Sequence, residues 1–189
     1  METQPTLTII YTINRDIMNI DIMNKYINYF IKLCFLKLKP QDIPASTTLF
    51  GLTILAYLII ATISTQAGLT KPLLPSLAEN LFEIALLLAT LDIALNWSGY
   101  KYRFKQVTTA IFGTSALFSI LILVLPRIET KGILYDIWIL ILLALFIWHL
   151  IVVGHIVSHT FEISHSQAII VSIIYTLISY FILKLVFPI

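Results

Sequence analysis

The chain has 189 residues, of which 59% are hydrophobic and only 12% charged, and its mean hydropathy is +0.94. A water-soluble domain carries about 25% charged residues, so this composition excludes a soluble globule and requires apolar surface to face lipid. The formal net charge of +2 excludes a nucleic-acid binder, and the single cysteine, Cys34, excludes an intrachain disulfide and a multi-cysteine metal site.

Residues 1–22 contain no long apolar run, no small-residue cleavage pattern and no basic leader, and so do not make a signal peptide. Met18 and Met23 lie in or beside this stretch, which is expected to be an extended or misassigned start rather than a folded element. Residues 23–46 form a basic juxtamembrane segment. Lys25, Lys32, Lys37 and Lys39 interrupt aromatic and aliphatic residues too often for a crossing. An amphipathic interfacial helix fits, with apolar groups in the acyl boundary and lysines reaching anionic lipid head groups. A cytoplasmic extension of the first span fits as well. Pro40 ends the segment, and Ser46 or Thr47 caps the next helix.

Residues 47–189 are expected to form one all-α transmembrane bundle of five spans, at about 48–66, 77–97, 107–125, 133–157 and 167–187. Each matches the ~20 residues needed to cross ~30 Å of hydrocarbon, whereas barrel strands would be about half as long. Lys/Arg placement orients the bundle. Arg15, Lys25, Lys32, Lys37 and Lys39, with Lys101, Arg103 and Lys105 between spans two and three, mark the cytoplasmic side. Lys71, Arg127 and Lys131 fall outside, which puts the N-terminus in the cytoplasm and the C-terminus in the periplasm of a bacterial inner membrane.

Several polar groups interrupt the spans. In the second, Asp92 should face the bundle interior, a partner or water, because a charge at mid-bilayer costs roughly 2.5–3.5 kcal/mol. Glu79 and Glu83 form an i, i+4 pair of like charge, so Glu83 calls for a proton or a basic neighbour. Small residues in the third span (Thr109/Gly113, Ser115/Ser119) suit close helix packing at the bundle centre. The fourth span carries His149, His155 and His159, and Glu162 would share the His155/His159 stripe if the helix continued. That trio is a candidate His-His-Glu metal set. A bis-histidine haem is disfavoured, because no other span supplies a histidine, and no cofactor is expected.

There is no Walker A loop, no nucleophile elbow and no internal repeat. Leu36 to Ser46, Arg103 to Thr114, Gly154-His155 and His159 resemble a group of small uncharacterised inner-membrane proteins of proteobacteria. The five-span plan with a cytoplasmic N-terminus is loosely similar to Yip1-like membrane proteins. The resemblance covers about residues 24–189 and implies no activity, ligand or catalytic residue.

Three functions follow as expectations. The first is a non-enzymatic accessory, assembly or scaffolding subunit with membrane-protein partners. The second is a small transporter or proton/ion conductor using Asp92, with Glu83 or the histidines. The third is a metal- or haem-dependent membrane enzyme using His155 and His159.

Overall fold

The computed structural model describes residues 23–69, 72–125, 128 and 132–188; the proposed extension at 1–22 lies outside them. These residues are all-helical, with no strand among them. A short helix, α1, covers 23–34. It is followed by α2 (Thr47–Leu69), α3 (Leu73–Trp97), α4 (Phe104–Val124), α5 (Ile133–Phe161) and α6 (His165–Val186). Single 3-10 turns at Pro40–Asp42 and Lys101–Arg103 lead into α2 and α4.

Among the described residues, four helices are long and apolar enough to cross a membrane: Thr47–Gln66, Lys101–Val124, Ile133–Phe161 and His165–Val186, where the sequence led to an expectation of five spans. The helix that does not qualify is α3, which carries Glu79, Glu83 and Asp92 as well as Asn80 and Asn96 in its 25 residues.

Hydrogen bonds fix how the helices run. The Lys105 Nζ donates to Thr47 Oγ1 at 2.8 Å at one end of α2 and α4, and Ser64 Oγ donates to the Ser119 carbonyl at 3.2 Å near the other. These two helices are thus parallel. Asn80, early in α3, bonds Thr62 and Thr65, late in α2, so α3 runs back along α2 toward the start of α4. The end of α5 meets the start of α4 through Arg103, and Phe187 after α6 stacks edge-on with Phe82 of α3 at 5.8 Å. Hence α2, α4 and α6 run one way and α3 and α5 the other.

The bundle has an inside-out character. Large aliphatic side chains such as Leu52, Leu140, Leu177 and Leu185 are exposed, as lipid-facing residues must be. The centre is α4, where 56% of the apolar stretch is buried, against 22% in α2 and 11% in α5 and α6. Thr114 Oγ1 donates back to the Ala110 carbonyl at 2.8 Å, whereas the buried hydroxyls of Thr108 and Thr109 have no hydrogen-bond partner.

The short helix α1 docks into this frame with one face. Phe30, Leu33 and Cys34 are buried while Lys25 and Lys32 stay exposed. The Phe30 ring fills the space a side chain at Gly113 of α4 would need. The indole N–H of Trp148 on α5 donates to the Cys34 carbonyl at 2.9 Å, and Phe35 packs on the same indole. Leu36, with φ of 58°, turns the chain back toward α2.

Candidate functional site

Two polar regions emerge, one at the basic end of the bundle and one at its centre. At the basic end, Arg103 closes the C-terminus of α5. Its Nη1 donates to the Thr160 carbonyl at 2.8 Å and the His159 carbonyl at 3.3 Å, and its Nη2 reaches Glu162 Oε1 at 2.7 Å. The last carbonyls of a helix have no intrahelical donor, and a cation there also opposes the helix dipole. The guanidinium lies 4.5 Å from the Tyr100 ring centroid, which adds a cation–π contact. Gln106 and Gln41 extend the lock. Gln106 Nε2 donates to the carbonyls of Gln41 and Ile43, and Gln41 Nε2 donates to the His159 carbonyl.

The candidate His-His-Glu set is not assembled here, and the reason is helix geometry. The helix ends at Phe161, and Glu162 adopts a left-handed conformation (φ 58°) that swings it off the His155/His159 stripe and onto Arg103. The rings of His155 and His159 lie 4.5 Å apart, and His165 from α6 comes within 5.7 Å of His155. His155 Nε2 is engaged at 2.9 Å by the Leu38 carbonyl. Among the described residues, no group of three or more His, Cys, Asp or Glu is placed to hold a metal ion.

Asp92 lies near this end, away from the bundle interior. Its carboxylate is 3.8 Å from Lys101 Nζ, and both side chains are more than half exposed. Nine residues separate the two in sequence, but the turn after α3 brings the lysine back over the last helical turns.

The central region is a cavity of about 330 Å³ to which α2, α3, α4, α5 and α6 all contribute. Its chemistry-bearing residues are Tyr57, Glu83, Ser115, His149, Tyr175 and Ser179. At 1.5 Å per residue along their helices, all six lie roughly 15–21 Å from the basic end of the bundle. With a hydrocarbon core of about 30 Å, that is mid-membrane depth. Glu83 adjoins the hydroxyl of Tyr57, which is itself buried, and Tyr175 is within electrostatic reach of the same carboxylate. His149 Nε2 is 3.0 Å from Ser115 Oγ, and its ring packs against Phe118 at 4.9 Å. A second cavity of about 320 Å³ lies on the other side of His149 and shares Tyr57, Ser115 and Phe146 with the first.

Two hydroxyls in the cavity wall, Tyr175 Oη and Ser179 Oγ, are buried neighbours one helical turn apart, and neither has a hydrogen bond of ordinary geometry. Leaving a buried donor unmade costs about 1–3 kcal/mol. Such orphans call for an explanation, which beside a cavity includes a bound water, ion or ligand; Gln41, Thr108, Thr109 and Trp138 carry others outside this cavity.

Of the residues singled out in the sequence, Glu83 and His149 thus share one cavity, while Asp92, His155, His159 and Glu162 gather toward the basic end. Tyr57, Tyr175, Ser115 and Ser179 carried no functional signal of their own. In an apolar span they look like ordinary packing residues, and only the arrangement of the helices unites them. Comparison with protein-family models, with curated proteins and with solved structures yields no match.

Proposed function

We propose that this chain is a five-crossing inner-membrane protein whose central cavity takes up a small molecule, in the manner of a small carrier. The observation that carries the proposal is the mid-depth cavity, lined from all five long helices and holding hydroxyls without a hydrogen bond of ordinary geometry. Ligand pockets typically enclose about 300–1,000 Å³ of mostly apolar wall with a few placed polar groups. An ionisable residue inside a membrane bundle marks a substrate or ion path by default.

The parallel course of α2 and α4 supports α3 as the fifth crossing. Their equivalent ends meet, so the 25 residues between them that form α3 return across the same slab. Its polar residues avoid lipid in three ways. Glu83 turns into the cavity, Asn80 bonds α2 with its side chain, and Asp92 reaches Lys101 at the helix end. The end bearing Lys101, Arg103 and Lys105 is the cytoplasmic one on the positive-inside rule, with the C-terminus in the periplasm.

Thiol labelling in native membranes tests the reading. In a Cys34→Ala background, Ser179→Cys should react with a small charged thiol reagent supplied from water, and lipid-facing Leu177→Cys should not. Absence of labelling at position 179 from either side of the membrane would overturn the carrier reading.

A further inference from the structure

The walls of the central cavity also specify what it takes. Among the described residues, the lining contains one carboxylate, Glu83, and neither lysine nor arginine. The lining also includes the aromatic residues Tyr57, Phe112, Phe146, Tyr175 and Tyr180, of which Tyr57 and Tyr175 adjoin Glu83 while Phe146 and Tyr180 are partly open to the surroundings. Tyr57 and Phe112 pack against each other at 5.2 Å with a 46° tilt, so they form a rigid corner. His149 bonds Ser115. Lys184 is the nearest cation that the geometry records, at 5.9 Å from the Tyr180 ring and one turn beyond Tyr180. It lies outside the lining and leaves Glu83 without a basic partner there.

An aromatic enclosure around a single carboxylate is selective by charge. Ring faces are negative and attract a cation within about 6 Å of their centroids, and the attraction strengthens when water is excluded. A carboxylate in a medium of low dielectric gains most from a counter-charge that arrives already weakly hydrated. A hard inorganic cation favours several oxygen ligands, charged ones above all, and among the described residues no three His, Cys, Asp or Glu converge to hold a metal ion. An anion would meet the carboxylate and the ring faces together. A lipophilic organic cation satisfies both the charge and the apolar walls, and a hydrogen-bonding group on it would meet the orphan hydroxyls of Tyr175 and Ser179.

We infer that the cavity binds a small monovalent organic cation, an amine or quaternary ammonium carrying apolar substituents, with Glu83 as counter-charge and the aromatic rings as its cage. This inference rests on the carrier reading and narrows it.

The test uses the full chain in nanodiscs, with lipid-only discs subtracted. Binding of benzyltrimethylammonium is compared with its neutral carbon isostere, neopentylbenzene, and with the anion phenylmethanesulfonate. The cation should bind best, and Glu83→Gln should weaken it by about tenfold or more. Tyr175→Leu, which removes a ring, should weaken cation binding, whereas Tyr175→Phe, which removes only the hydroxyl, should leave it close to wild type. If the isostere binds as well as the cation and Glu83→Gln changes nothing, the cation class is overturned while the cavity remains a binding site. If no probe binds although Ser179→Cys is labelled from water, the cation class falls and the carrier reading stands. If no probe binds and Ser179→Cys is also inert, both fall together.

Discussion

Replacing Gly113 by alanine tests how α1 is held. The added methyl at position 113 would overlap the Phe30 ring, which is buried against α4 with 8% of its surface exposed. Overpacking a filled site costs about 1–3 kcal/mol, whereas Gly→Ala inside an unobstructed helix gains up to ~1 kcal/mol. The sign of Gly113→Ala therefore depends on the ring. In the wild-type background the substitution should destabilise. In a Phe30→Ala background the methyl enters vacated space, and the same substitution should be neutral or stabilising. The double-mutant cycle should return a coupling of about 1–3 kcal/mol, within the range expected for residues in contact. Denaturation in mixed micelles, followed by Trp148 fluorescence with Trp97 and Trp138 replaced by phenylalanine, reads the effect directly, because the Trp148 indole bonds the end of α1. Equal destabilisation by Gly113→Ala in both backgrounds would refute the docking of α1 through Phe30.

Three further outcomes are expected. Trp148→Phe should destabilise by about 0.5–1.5 kcal/mol through loss of the hydrogen bond to the Cys34 carbonyl, measured by denaturation in mixed micelles followed by circular dichroism. The Cys34 thiol is pushed up to about 11 by burial, so iodoacetamide at pH 8 should alkylate it far more slowly than an unstructured cysteine, and Phe30→Ala should speed the reaction. Arg103 holds the Glu162 carboxyl below its ordinary value of 4.5 through their hydrogen bond. Because the folded-state value is depressed, this contribution is present above the ordinary value and disappears as pH falls through the lowered one. The stability gap between wild type and Glu162→Gln should therefore be open at neutral pH and close in acid. It should be small throughout, since Glu162 is exposed and surface pairs are screened.

The sequence made the helices legible because long apolar runs have one reading in lipid, where every backbone polar group must be bonded internally. Their ends were harder to place. α5 continues to Phe161, past the expected end near 157, because it runs on into the polar cap built by Arg103. α3 starts at Leu73 rather than near 77, since Pro75 is tolerated in a first turn. α5 is apolar nearly all round, so nothing in its sequence marks the face that turns inward. Glu83 and His149 stood out as isolated polar residues, but their meeting depends on how α3, α5 and α6 pack, which no one-dimensional pattern encodes. For Asp92, its place in an apolar run called for the bundle interior, a partner or water, and only the folded turn after α3 decides among these by bringing Lys101 close enough to pair with it.

The most direct test of the central claim is occupancy of the mid-membrane cavity. Ser179→Phe places a ring among Glu83, Tyr175 and His149, all of which line the cavity. Benzyltrimethylammonium binding to this variant in nanodiscs, compared with wild type at equal folding by circular dichroism, is the decisive measurement. The account predicts binding to wild type and its loss in the filled variant. Equal binding to both would place the site outside the cavity and contradict the account, while binding to neither would remove the cation class.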